Sequence, residues 1–145
     1  MYFQWIVLTL LIVAGGVYSQ MRHQDNQTSE FASLDALSRG MLVYRSAVSA
    51  FARANPGYSG VPSDAALSLP EWYIKPAGVT AYIVDGSAFT FSTAAIPGLP
   101  AALVEHTESV VIGVNRAGYL VSPASGNMAI LLPSTIPEGA VVAVN

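Results

Sequence analysis

The sequence predicts an α+β fold, with an N-terminal transmembrane helix followed by an amphipathic helix packed on a small antiparallel sheet. Three observations carry this expectation. Residues 2–18 read YFQWIVLTLLIVAGGVY, with no charge and only Gln4 and Thr9 as polar interruptions. Apolar side chains then fall at steps of three and four along residues 29–54, which is helical spacing. After Gly78 the period changes to the alternation of strands, broken by Gly, Pro, Asn and Ser.

The first run is just long enough for a bilayer, whose core needs about 17–25 apolar residues in a helix. It defines a first segment over residues 1–19, with Trp5, Leu8, Leu11, Gly15 and Gly16 as the anchor. Trp5 near one end and Tyr18 at the other suit the two water–lipid interfaces. Ala14, Gly15 and Gly16 form a small-residue patch that another helix could approach, or a weak point in the helix. The competing reading is a cleaved signal peptide cut near Ser19, but no Lys or Arg precedes the run. Arg22 just after it gives little orientation and leans slightly against export; a domain outside the cytoplasm is expected on composition. Residues 20–28 are polar and read as a linker or as continuing helix.

Residues 29–145 make the expected domain. Phe31, Leu34, Leu37, Met41, Tyr44, Val48 and Phe51 form one stripe, opposite Asp35, Arg39, Ser46 and Arg53. Asn55-Pro56-Gly57 stops that helix. Within the stripe, Phe31, Leu34, Met41, Val48 and Phe51 are candidates for partner contact; the plainer reading is core. Ser63 and Asp64 are placed to cap a short helical turn, and Pro70-Glu71-Trp72 to open another. Asp85-Gly86 between residues 79–84 and 88–92 is a hairpin signal, since Asp-Gly accepts positive φ. Phe89 and Phe91 share one face of that hairpin; Thr90 and Ser92 take the other. Residues 100–106 read as a short helix opening on proline, and residues 109–114, 119–122, 128–132 and 141–144 as a strand meander.

Composition narrows function more than motifs do. Hydrophobic residues make up 52% and charged residues 10% of the 145 residues, against about 25% charged in ordinary soluble domains. The net charge of −3 supplies no basic field for a phosphate backbone, so no nucleic acid is expected as a partner. With no cysteine, disulfides, thiolate metal sites and a cysteine nucleophile are excluded. Only two histidines occur, and His106 among Glu105 and Glu108 lacks a second imidazole at ligand spacing; it reads as a solvated helix end. Serine-nucleophile, P-loop and dinucleotide motifs are missing, and Asn26-Gln27-Thr28 is a chance match to a glycosylation site. No catalytic residue, metal or cofactor is expected. The chain reads as a protein that works by contacts, not as an enzyme.

The segment LDALSRGMLVYRSAVSAFARANPGYSGVPSDAALSLPEW (residues 34–72), between an apolar helix and a small sheet, resembles the plan of type IV pilins and pseudopilins. It departs from them in having no basic leader ending in Gly and no Glu near the start of the apolar helix. The closer resemblance is to the PilM family of conjugative-plasmid thin pili. It covers nearly the whole chain, from MYFQWIVLTLLIV to the last strand. That resemblance implies an inner-membrane component of pilus assembly or pilin transport with a periplasmic domain. Its partners would be pilins and other assembly proteins, with possible homo-oligomers. Two alternatives stand beside it. One is a pilin-like minor subunit incorporated in the fibre. The other is a secreted enzyme or small-ligand binder with a pocket lined by Trp72, Tyr73 and Tyr82.

Overall fold

A computed structural model describes the backbone of all residues except 1, 95, 109 and 110, and the side chains of all but these, residue 3 and residues 17–28. Expectations resting on Arg22, His23, Asn26, the side chain of Tyr18, a cut near Ser19, and the start of the strand at 109–110 lie outside the described residues. The chain divides into two compact units, Met1–Ser33 and Leu34–Asn145. Helix α1 is assigned to Tyr2–Ala54, so residues 20–28 are helical. The first unit is the part of that helix before Leu34. The expected membrane span is not found: among the described residues no helix is long and apolar enough to cross a membrane.

In the second unit the helix stops where the sequence places the stop. Pro56 has no N–H to continue the ladder, and Asn55 turns back to give its side-chain Nδ2 to the Phe51 carbonyl at 2.9 Å. A 3-10 turn covers Asp64–Ala66. Ser63 precedes it but makes no capping bond. Pro70 opens a turn closed by the Tyr73 N–H on the Pro70 carbonyl, not a second helix. Strands β1 (Val79–Val84) and β2 (Ser87–Ser92) form the expected hairpin, with Asp85 and Gly86 both at positive φ. Helix α2 spans Leu99–Thr107 with proline in its first turn. Strands β3 (Ile112–Arg116), β4 (Tyr119–Ser122), β5 (Gly126–Leu131) and β6 (Val141–Val144) complete the sheet.

These strands are not a simple meander. The order is β1-β2-β6-β3-β4-β5, with β6 inserted between β2 and β3 by antiparallel pairing to both. The reason is legible in VVAV: four apolar residues in a row have no face to give to water, so the strand belongs in the middle of a sheet covered on both sides.

The two faces are covered differently. Val79, Ala81, Ile83, Ala88, Ile112, Val141 and Ala143 pack with Met41, Tyr44, Val48 and Ala52 of α1 and with Leu99 and Leu103 of α2. On the opposite face Phe89, Phe91, Leu120 and Val142 pack with Leu132, Ile136 and Ala140. The phenylalanine side therefore faces away from the helices, under the segment after β5. Asn115 fastens that segment: its Nδ2 donates to the carbonyls of Ile136 and Pro137 at 2.9 and 3.1 Å. Thr90 and Ser92 do take the other face, but they are buried there beside the helices, and among the described residues their hydroxyls have no partner.

A Cβ on Gly113 would overlap the Val121 carbonyl of β4. Gly113→Ala is expected to lower stability by about 2–3 kcal/mol through overpacking, read as a lower urea midpoint with an unchanged slope.

Candidate interaction surfaces

Within the first unit, α1 exposes apolar side chains around its circumference. Trp5 is 71% and Leu11 65% exposed, and Tyr2, Ile6, Leu8, Leu10, Ile12 and Val13 are exposed as well. One polar side chain among them, Thr9, donates its hydroxyl to the Trp5 carbonyl at 2.7 Å, which removes its demand for water. A Cβ on Gly15 or Gly16 would meet nothing, so both glycines present open backbone. Phe31, also in this unit, is 70% exposed and belongs to no core.

In the second unit the stripe divides by depth. Met41 and Val48 are fully buried, while Leu34 and Phe51 pack partly buried against the same core. Met41 and Val48 thus meet the sheet and are closed to a partner in this conformation. A neighbouring face of α1 is open in part: Ala50 and Ala54 are exposed, while Val43 and Ala47 are half-buried and Ala47 also touches the core. Val43, Ala47, Ala50 and Ala54, at steps of four, three and four, line two adjoining shallow grooves of about 310 and 280 Å³ with Ser46, Ser68, Pro70 and Trp72. Small residues at this spacing let another helix approach closely.

Beside the grooves the chain alternates. Trp72 and Ile74 are 73% and 87% exposed, whereas Tyr73 and Lys75 turn inward. The Tyr73 hydroxyl donates to the Gly40 carbonyl at 2.9 Å. Lys75 Nζ donates to both Asp64 carboxylate oxygens at 3.0 and 3.1 Å and sits 4.7 Å from the centre of the Tyr44 ring. Tyr44 donates its hydroxyl to the same carboxylate at 3.0 Å. Burial raises the pKa of Tyr44, and raises that of Tyr73 to about 12, so both remain donors. The hydrogen bond from Lys75 holds Asp64 below the usual carboxylate value of 3.8.

Trp72, Tyr73 and Tyr82 do not form the pocket expected of a ligand binder. Tyr73 packs on the helix side of the sheet and Tyr82 on the phenylalanine side. His106 is not a free helix end: its Nε2 lies 2.8 Å from Asp35 Oδ1, whose other oxygen takes Arg39 Nε at 2.9 Å. That pairing joins α2 to α1. The spacing of Asp35 and Arg39 foretells half of it; His106, 71 positions away, could come only from the fold. Among the described residues no group of three or more acidic or histidine side chains could hold a metal.

A family model for PilM matches residues 8–144. The chain belongs to the PilM family. A similar solved structure agrees. A protein named PilM from Pseudomonas aeruginosa 2192 is 44% identical, with 77% of this chain and 94% of that one covered and a TM-score of 0.51. Another, from Escherichia coli B7A, is 23% identical, with 79% and 93% covered and a TM-score of 0.61; at that identity the likeness speaks for fold alone. No curated protein matches. Membership points to pilus biogenesis for this PilM-family chain.

Asp64 gives a pH test. A carboxyl whose folded pKa lies below its unfolded value stabilises the fold above the unfolded pKa and loses that contribution as pH falls through the folded one. Wild type is expected to lose stability more steeply than Asp64→Asn between about pH 5 and pH 2. Tyr44→Phe should cost about 1 kcal/mol. Urea melts across that pH range check both.

Proposed function

We propose that this PilM-family chain is a non-catalytic component of a type IV thin-pilus assembly or pilin-transport apparatus. In this reading the apolar N-terminal part of α1 anchors it to the bacterial inner membrane. Its α+β domain lies in the periplasm and contacts pilins and other assembly proteins. The observation that carries the anchoring is the helix from Tyr2 to Val13, whose described side chains are all exposed and, Gln4 and Thr9 apart, apolar, with the Thr9 hydroxyl satisfied inside the helix. A surface of this kind is costly in water and at home in hydrocarbon, where each backbone and side-chain polar group must be met internally. The protein-contact role is supported by the small-residue grooves along Val43–Ala54 with Trp72 beside them.

The test is fractionation of a C-terminally tagged chain, with intact-mass analysis and protease digestion of spheroplasts. The full-length mass should stay with the inner membrane and the domain should be cut from outside. A soluble protein whose mass begins near Gln20 would sink the anchoring, and recovery in sheared fibres would make the chain a fibre subunit instead. Leu8→Asp with Leu11→Asp should release the protein from the membrane fraction, at about 2.5–3.5 kcal/mol per charge placed in a lipid-inserted helix, without moving the melting temperature of the domain. Ala50→Arg should abolish complementation of pilus formation while leaving the urea midpoint unchanged, because Ala50 is exposed and fills no core.

A further inference from the structure

Residues 61–77 stand apart in how they are held. Their backbone hydrogen bonds are local: Ala66 to Ser63, Leu67 to Asp64, Leu69 to Leu67 and Tyr73 to Pro70. Among the described residues no backbone–backbone bond ties the stretch to α1, and its one link of that kind to the sheet lies at its very end, from the Val79 N–H to the Pro76 carbonyl at 3.3 Å. Its two ends are pinned. Gly60 exchanges both backbone bonds with Ile83 at 2.8 and 2.9 Å, and the Gly78 carbonyl accepts from Thr93 N–H at 3.0 Å. Both pins are glycines at positive φ, +129° and +80°, where backbone rotation meets no Cβ of the residue itself.

Between the pins the stretch lies on α1 by side chains alone. Tyr73 reaches the Gly40 carbonyl and Asp64 accepts from Tyr44, Lys75 closes on the same carboxylate from within the stretch, and Leu67, Leu69 and Tyr73 enter the core. A Cβ on Gly40 would stand 2.9 Å from Pro76 Cγ, so the missing side chain lets the stretch lie flat. The Lys75–Asp64 pair is half open to water, and such pairs contribute little. A segment with few non-local backbone bonds and few buried side chains is drawn from the low end of local stability.

We propose that residues 61–77 are a strap that lifts from α1 as one unit, pivoting at Gly60 and Gly78 while the sheet stays folded. Lifting bares the α1 surface around Gly40 and Tyr44, which the strap otherwise covers. Elsewhere β1, β2, β6, β3 and β4 are each laddered to neighbours, and the segment after β5 is held through Asn115 by both backbone and side chain.

Native-state hydrogen exchange on the full-length chain in urea tests this. The amides of Ala66, Leu67, Leu69 and Tyr73 should merge into one opening whose urea slope is clearly smaller than that of Tyr82 and Val142 in the sheet. Tyr73→Phe, which removes the strap's hydrogen bond to the Gly40 carbonyl of α1, should speed the amides of Ala66, Leu67 and Leu69 together by about fivefold, the loss of one hydrogen bond, and leave the sheet amides unchanged. Exchange of the strap amides with the same slope as the sheet would overturn the proposal, as would four unrelated, urea-independent rates. Because the chain has no cysteine, a thiol gives a second readout. Leu67→Cys should label at least about tenfold faster than Leu120→Cys, both being buried positions on opposite faces of the sheet. Equal labelling rates would mean that only global unfolding exposes the strap.

Discussion

The architecture depends on one constraint: two adjacent inner strands of the sheet, β2 and β6, are buried on both faces. β6 offers no alternation between water and core, and β2 is buried from Ala88 to Ser92. A single antiparallel sheet in water normally keeps one face wet. Here each face needs its own cover, and a chain of this size has two to give. The helices cover one side. The segment from Leu132 to Ala140 covers the other with Leu132, Ile136 and Ala140. That segment has little regular structure, so its polar backbone needs a fixed partner, and Asn115 supplies one. Its side chain bonds two carbonyls of the cover and accepts the Gly118 N–H of the adjoining turn, while its own backbone bonds Gly139 and Ala140.

The cost of the arrangement appears on the helix side. Thr90, Ser92 and Ser49 bury hydroxyls that lack a partner among the described residues, and Arg45 buries its Nε likewise. Arg45 keeps one strong bond, from Nη2 to the Val144 carbonyl at 2.6 Å; desolvation lowers its pKa. Unpaired buried groups of this kind are destabilising. Arg45 offsets part of this cost by tying α1 to β6 through the Val144 carbonyl.

Local chemistry was legible where it acts over a few residues. The Asp85-Gly86 turn, the stop at Asn55-Pro56-Gly57, the proline opening of α2 and the stripe through Met41, Tyr44 and Val48 all follow from spacing and propensity. Topology was not, because strand order is set by which faces remain to be covered, and VVAV reads as one more strand of a meander until its lack of polar alternation is weighed. The candidate surfaces were legible in part. The apolar helix at Trp5, Leu8 and Leu11 stood out at once. The partly open stripe of Val43, Ala47, Ala50 and Ala54 did not, since alanine is a good helix former anywhere and marks a surface only when its depth is known. Lys75, Asp64 and Tyr44 converge from three parts of the chain, and no local rule joins them.

Lys75 is the one lysine in the sequence, and it is committed to the clasp on Asp64 and Tyr44. Reagents that seek amines therefore find a single side-chain target, and that target is already engaged. Acylating or biotinylating it would remove the charge that holds Asp64, so the tag would alter the surface it was meant to report on. Immobilisation or cross-linking through the lysine would act at the clasp, and carboxyl chemistry would reach it too through Asp64, whereas a thiol introduced elsewhere in this cysteine-free chain is a handle that leaves it intact.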